Sequence, residues 1–295
     1  MILIDLTQII IASCVVHKLE DVNLIKHSAF SSILSYKKQY EKKYGKIVLA
    51  CDSKSYWRRD YFPAYKGQRK HSRESSSLNW DVIFKAIDEI KQDLRDYFPY
   101  KLLQIDGAEA DDVIATMAKY TQVEELVQEG LFDGEPQPTI IISADQDFVQ
   151  LQKYKNINQF SPMQKKIVKC KGHPETYLLE HIIGGDGGDN VPNVLTSDQW
   201  AIDRMNNEEE KSRQKPIKKT FIDNFTLEQL KDNDELARNY ARNKTLIDFD
   251  CIPNKVQDAI INAYINYEQK GNKTRLMNYF LKNKMKLLFA EINSF

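Results

Sequence analysis

Asp145 and Asp147 stand one residue apart at the end of Thr139-Ile140-Ile141-Ile142-Ser143-Ala144, where a β-branched run gives way to acid. On an extended turn, two carboxylates at that spacing lie on one side of the chain, where they can hold a cation together. The same arrangement recurs. Ile2-Leu3-Ile4 stops at Asp5, and Ile47-Val48-Leu49-Ala50-Cys51 stops at Asp52. Leu102-Leu103-Gln104-Ile105 runs into Asp106 and then Glu109, Asp111 and Asp112. Glu109 and Asp112 are three apart and share one face of a helix start. Asp186 and Asp189 have the same spacing within the glycine-rich turn Gly184-Gly185-Asp186-Gly187-Gly188-Asp189-Asn190.

For any one of these carboxylates, a cap, a turn or a solvated face is the commoner explanation. The joint pattern resists that reading. Acids crowded at one edge repel one another and resist desolvation unless cations neutralise them. All-oxygen ligation selects hard cations such as Mg²⁺ or Mn²⁺. Two such ions about 3.5–4 Å apart serve in-line displacement at phosphorus, one supplying hydroxide and the other stabilising the departing oxygen. The chain shows no Ser-His-Asp or Cys-His arrangement as a rival. A phosphatase of the haloacid type needs Asp-x-Asp directly after the first strand, and Asp5-Leu6-Thr7 lacks the second Asp.

The elements that must position these acids are short apolar runs, which read as strands buried on both faces of a parallel sheet. Residues 8–42 supply a crossover helix with Leu24, Phe30, Ile33 and Leu34 at helical spacing. Residues 78–98 predict an amphipathic helix whose stripe of Trp80, Ile83, Phe84, Ile87, Ile90, Leu94 and Phe98 is core. Ala108–Tyr120 reads as a helix with an acidic first turn, which suits the positive end of its dipole. A helix starts at Asp147–Leu151, an edge hairpin is expected at 157–160 and 166–169, and a loop at 128–138. Met1–Val16 has no positive leader and carries Asp5, so it reads as a strand and a helix start capped by Thr7. In open α/β sheets the functional crevice lies beyond the carboxyl ends of the strands.

The 295 residues, 42% apolar and 28% charged, suit a soluble, cytoplasmic globular protein. Formal net charge is zero, but the charge is segregated. Residues 53–73 hold seven cations against Asp60, interleaved with Tyr56, Trp57, Tyr61, Phe62 and Tyr65. That mixture suits a solvated loop, and equally backbone contacts and base stacking on nucleic acid. Pro63 and Gly67 interrupt any continuous helix there. Lys211–Lys219 has five cations and Gln269–Ala290 has six, neither with an acid. An α/β domain over 1–185, with its basic segment at about 53–78, is expected to precede a helical region over 186–295. The four Cys and five His are scattered, which argues for reduced thiols and against a zinc site.

Taken in order, Ile4-Asp5, Cys51-Asp52, Glu109-Ala110-Asp111-Asp112, Ser143-Ala144-Asp145-Gln146-Asp147 and Gly185-Asp186-Gly187-Gly188-Asp189-Asn190-Val191-Pro192 resemble the 5′-nuclease superfamily. Its members are the flap endonucleases and the 5′-to-3′ exonuclease domains of bacterial polymerases. Tyr56-Trp57-Arg58-Arg59-Asp60, Phe160-Ser161-Pro162-Met163 and Leu246-Ile247-Asp248-Phe249-Asp250 look like its phage members, and the likeness runs from Met1 to Phe295. The resemblance implies an α/β, PIN/5′-nuclease-like fold. That fold has a mostly parallel central sheet flanked by helices, an arch-like insertion and a helical C-terminal region. It also implies removal of RNA primers and adjacent DNA by ribonuclease H, flap and 5′-to-3′ exonuclease action with two Mg²⁺ ions, Mn²⁺ substituting.

On the matching positions, the resemblance makes Asp5, Asp52, Glu109, Asp112, Asp145, Asp147, Asp186 and Asp189 metal ligands. Asp111 joins them where the wider family often has an acid. Lys66, Asp112 and Asp145 are the implied catalytic residues. Ala64-Tyr65-Lys66-Gly67-Gln68-Arg69 matches the arch, where Lys66 would stabilise transition-state charge, Tyr65 would stack on a base and Arg69 would grip phosphate. Arg58, Arg59, Lys70, Lys211, Lys215 and Lys218 complete the expected nucleic-acid contacts.

One departure stands out. The family continues from this turn into a glycine hairpin that holds duplex backbone through potassium, and Pro192–Lys219 contains no glycine. Side-chain charge from Lys211–Lys219 takes that place in the expectation, with steep salt dependence. The implied partners of this monomer are RNA–DNA hybrid, flap and nicked duplex DNA. A single-stranded-DNA-binding protein or sliding clamp fits the same role, though no motif specifies either. Two other readings stay open: a PIN-like ribonuclease, against which the basic insertion and long helical region weigh, and a non-catalytic binding scaffold, against which the intact carboxylates weigh.

Overall fold

The computed structural model describes residues 1–122, 136–208 and 213–295, so Lys211 and most of the loop expected at 128–138 lie outside the described residues. Contacts divide the chain into two compact units. One comprises Met1–Lys54, Leu78–Lys169 and Asn254–Phe295, and the other Ser55–Ser77 and Cys170–Pro253. These units interleave along the chain, where the sequence reading places one break at residue 185. The chain returns to its first unit at Asn254 because apolar residues beyond that point complete the core there. Among the described residues, no helix is long and apolar enough to cross a membrane.

The first unit is built on strands β1 (Ile2–Asp5), β2 (Ile47–Cys51), β3 (Lys101–Gln104), β4 (Thr139–Ile142), β5 (Ile157–Ser161) and β6 (Lys166–Val168). They form one six-stranded sheet in the order β3-β2-β1-β4-β5-β6. The first five are parallel and β6 is the antiparallel edge. Every residue of β1, β2 and β4 is buried, as strands covered on both faces require.

The crossover between β1 and β2 is two helices rather than one, α1 (Leu6–His17) and α2 (Val22–Tyr44). Lys18 ends α1 in the left-handed conformation, and the Asp21 carboxylate caps α2. Asp5, not Thr7, caps α1, accepting from the Gln8 N–H. Its carboxylate stands nearer the free amides of the first turn, since the strand ends directly in the helix.

In the second unit, the basic segment folds as two short helices, α3 (Trp57–Tyr61) and α4 (Arg69–Glu74), separated around Pro63 and Gly67. Back in the first unit, α5 (Trp80–Tyr97) buries the predicted stripe at Ile83, Ile87, Ile90 and Leu94, while Phe84 stays exposed. Helix α6 (Ala110–Tyr120) starts after Glu109, and Gln146–Lys153 winds as a 3₁₀ helix. The second unit continues with α7 (Pro174–Gly184), α8 (Gln199–Met205), α9 (Lys219–Asp223) and α10 (Asp234–Ile247). Helix α10 projects Asn239, Arg242 and Asn243 inward. Asn243 donates to the Ile182 and Pro192 carbonyls, and Asn239 to the Val194 carbonyl. These amides satisfy an irregular backbone that no sheet pairs.

Helices α11 (Asn254–Ile265), α12 (Lys273–Lys282) and α13 (Lys286–Ala290) belong to the first unit. Helix α11 packs on α6, and α12 packs on α5. Phe98 sits at the centre of this junction, fully buried. Its ring lies 4.5 Å from that of Phe30, 5.8 Å from Phe280 and 5.7 Å from Phe295. Gly271 lets the entry to α12 pass against the Phe98 backbone, where a Cβ would overlap it. Phe98→Ala removes the ring that joins these segments, and it should cost about 3–5 kcal/mol. A falling denaturation midpoint of the full chain measures that loss.

Candidate active site

Strand order reverses between β1 and β4, so their carboxyl ends flank the sheet's switch point, where open α/β sheets bind ligands. Asp5 ends β1 there, in register with Ala50 of β2, and Asp52 follows β2. Gln8 on the first turn of α1 ties the two sides together. Its backbone N–H donates to Asp5 at 3.0 Å, while its side-chain oxygen accepts from the Ser143 hydroxyl and the Ala144 N–H beyond β4. Asp52 accepts from the Ala110 N–H at 2.9 Å, so the same carboxylate fixes the start of α6 to the end of β2. Within that start, Glu109 and Asp112 form a reciprocal capping box, with Asp112 accepting the Glu109 N–H at 2.9 Å. Asp145 accepts from the Asp147 N–H at 3.0 Å, and Gln159 on β5 donates to the Ser143 and Asp145 carbonyls.

Asp5, Glu109 and Asp112 are buried, at 7%, 2% and 0% exposure, while Asp52, Asp111, Asp145 and Asp147 are half-buried. Carboxylates buried at one sheet edge are costly unless hydrogen bonds or cations balance them. Their donors are all hard oxygens, a set that fits Mg²⁺ or Mn²⁺ and carries no preference for zinc. Gln8 and Gln159 were not anticipated from sequence. Asp5-Leu6-Thr7-Gln8 has the spacing of a capping box, a signal that could have picked out Gln8.

In the second unit, Gly185 opens the acidic turn with φ of 70°, and a Cβ there would strike the Val191 and Pro192 backbone. Asp186 accepts from the Gly188 and Asp189 N–H groups at 2.7 and 3.1 Å, and its other oxygen lies 3.7 Å from His181 Nε2. Asp189 is enclosed by the basic segment. Tyr65 donates its hydroxyl at 2.7 Å, Arg69 pairs at 2.7 Å, and Lys66 Nζ lies 3.3 Å away. Burial opposes the charge of Asp189, but Lys66, Arg69 and the Tyr65 hydroxyl outweigh it and hold the carboxyl below its ordinary range. Lys66, itself in the left-handed conformation, also donates its backbone N–H to the Asp189 carbonyl.

Two residues missed from sequence hold this turn. Gln68 donates to the Gly188 carbonyl at 2.7 Å, and Arg204 to the Gly187 carbonyl at 2.9 Å. Nothing in local spacing links either to the turn, which only tertiary contact brings to them.

Among the expected nucleic-acid contacts, Arg59, Arg69, Lys70, Lys215 and Lys218 are exposed, and Tyr65 and Lys66 are buried against the acidic turn. Arg58 is a correction. It is 2% exposed, donates to the Leu246 carbonyl and stacks on Trp57. The guanidinium closes the end of α10 and is withdrawn from any surface.

A model of the 5′-3′ exonuclease N-terminal resolvase-like domain matches residues 10–177, and a model of the T4 RNase H C-terminal domain matches residues 172–295. The chain is 34% identical over 301 residues to the ribonuclease H of Enterobacteria phage T4, covering 99% of this chain and 95% of that protein. Among solved structures, the phage T5 D15 protein co-crystallised with metal ions matches with a TM-score of 0.61 at 18% identity, over 90% of this chain and 97% of that one. A T5 D15 flap endonuclease complex with DNA and metal ions matches with a TM-score of 0.61 at 20% identity, over 88% and 95%. At such identities the T5 structures show a shared fold.

Gln8→Ala should leave the Ala144 N–H without its acceptor, at a cost of about 1–3 kcal/mol. By releasing Ser143 and Ala144, which lead into Asp145, it should also weaken Mn²⁺ binding, by about 10-fold. Chemical denaturation and calorimetric titration with Mn²⁺ measure the two effects.

Proposed function

The chain belongs to the 5′-3′ exonuclease family and is a metal-dependent 5′ nuclease, and we propose that it removes RNA primers and short 5′ flaps during lagging-strand synthesis. The observation that carries this reading is the row of carboxylates at the switch point, drawn from β1, β2, the start of α6 and the end of β4.

We assign Asp5, Asp52, Glu109, Asp112, Asp145 and Asp147 to holding Mg²⁺ in the first unit, with Asp111 at its margin. In the second unit, Asp186 and Asp189 are the candidate ligands. When bound there, the ions would supply a hydroxide near neutral pH and offset the negative charge on the non-bridging and leaving oxygens. The protein's part is to hold its oxygens in fixed places. Gln8 and Gln159 tie the ends of β1, β4 and β5 together, and Ala110 N–H orients Asp52, so the donors need little rearrangement when charge develops.

Tyr65, Lys66 and Arg69 are assigned to the phosphates of the substrate. In this structure their donors converge on the single carboxylate of Asp189, the geometry an anionic oxygen needs. Of the two cations, Lys66 is buried and Arg69 exposed, so the Lys66 charge is the less screened by solvent and suits transition-state stabilisation. Arg59, Lys70, Lys215 and Lys218 supply exposed charge for backbone contacts.

Incubation of a 5′-labelled flap, with RNA-primed and all-DNA versions, with and without Mg²⁺ tests the reading directly. Cleavage near the 5′ junction only with metal supports it, and metal-independent cleavage or none overturns it. Asp145→Asn should lower turnover by more than about 100-fold, beyond the loss typical of a residue that only orients ligands. Duplex affinity should be largely kept, as gel-shift titration without metal would show. Lys66→Ala should lower kcat more than it raises KM, since its contact strengthens in the transition state. Equal losses would assign it to ground-state binding.

A further inference from the structure

Helix α12 is amphipathic in a particular way. Leu276, Tyr279 and Phe280 face the core, while Arg275, Asn278 and Lys282 form an exposed stripe at helical spacing. Beside that stripe lies a recess of about 360 Å³, lined from α2 by Lys26, from α5 by Asp93 and Tyr97, and from α12 by Arg275, Asn278, Tyr279, Lys282 and Asn283.

The floor of the recess is buried and its charges are already paired. Lys26 is buried and pairs with Asp93 at 2.6 Å and with Glu89 at 3.1 Å. Burial works against its charge, but the two carboxylates hold its pKa above the ordinary lysine value. Tyr279 donates its hydroxyl to the same Asp93 at 2.7 Å, and its ring stacks on Tyr97 at 4.6 Å. Glu89 and Asp93 of α5 are therefore already paired.

The cations of the wall are not engaged in that way. Arg275 spends one N–H on the Lys270 carbonyl at 3.3 Å, leaving the rest of its fork exposed. Lys282 and the Asn278 amide make no hydrogen bond or ion pair among the described residues. Exposed Lys270, Lys273, Lys284 and Lys286 flank them along the chain, and Gln269–Ala290 contains no acid.

We propose that this recess is a second nucleic-acid contact, in which Arg275, Asn278 and Lys282 grip one backbone phosphate and its flanking sugars. It rests on the nuclease reading only in taking nucleic acid as the ligand. Three features select that ligand class. The recess is larger than a lone phosphate needs. Its donors are Arg, Lys and Asn, the side chains that contact phosphate and sugar without reading sequence. The charge also runs beyond the recess along the chain, which matches a polymer with repeated charges and not a single small anion.

The test is equilibrium binding of a nicked DNA duplex to the full-length Arg275→Ala/Lys282→Ala double variant, in EDTA, across a series of KCl concentrations. Both side chains are exposed and outside the core, and circular dichroism confirms the fold. Loss of one phosphate contact lowers the magnitude of the log–log salt slope by about 0.9. Affinity at low salt should fall several-fold, with the single-turnover cleavage rate at saturating substrate unchanged. A slope and affinity equal to those of the unaltered chain overturn the proposal. An unchanged duplex slope with lost binding of a poly-glutamate peptide also overturns it and assigns the recess to an acidic protein segment. Failure of the unaltered chain to cleave any flap would refute the nuclease reading and leave this binding result standing on its own.

Discussion

Like-charge crowding at the carboxyl edge of the sheet is the constraint on which the first unit depends. Parallel pairing forces β1, β2 and β4 to end on the same side, so Asp5, Asp52 and Asp145 are delivered there together. Three carboxylates plus Glu109 and Asp112 would repel if left to solvent-poor surroundings alone. The fold answers first with backbone amides: Gln8 N–H on Asp5, Ala110 N–H on Asp52, Glu109 N–H on Asp112 and Asp147 N–H on Asp145. Each of these four acids thus accepts a backbone amide, and Asp5 and Asp145 cap the turns that follow them. The proposed ligands are thus also structural hydrogen-bond acceptors, which is why a cap and a ligand look alike in the primary sequence.

The second unit solves an opposite problem, an excess of positive charge in a short segment. Tyr65, Lys66 and Arg69 are drawn onto Asp189, and Gln68 and Arg204 hold the carbonyls of the turn that carries it. Asn190, with φ of 63°, donates to the Ala64 and Ala201 carbonyls, closing the turn on the helix behind it. The result is a glycine-rich turn made rigid by neighbours rather than by its own sequence. A fixed anion there also keeps the cationic segment folded in place, because a cluster of bases with no acid would repel itself.

The two family models meet at residues 172–177, close to where composition changes, whereas the compact units interleave along the chain. These are different kinds of boundary. The first is where the character of the sequence shifts. The second is set by burial, and Leu276, Tyr279, Phe280 and Leu288 are buried in the core that the sheet and α2 also build. Helix α12 consequently has one face committed to that core and one face free to carry charge.

The strands, the order of the acid motifs and the amphipathic stripe of α5 were legible in the sequence, because each depends on local periodicity and on the residue type that ends an apolar run. Even the split of the basic segment could be read from Pro63 and Gly67. Other features were not legible, because they depend on residues far apart in the chain. Cap choice at Asp5 over Thr7 turned on where the strand stops. Arg58 looked like one more exposed cation of a basic run, yet the end of α10 buries it under Leu246, a residue 188 positions away. Gln68 and Arg204 acquire their roles only when the turn is folded between them. The sequence by itself determined which chemistry was available, since carboxylates at strand ends come directly from residue type and order. Tertiary structure alone decided which cations are buried against an acid and which stay on the surface, since that depends on burial and long-range pairing that local spacing does not encode.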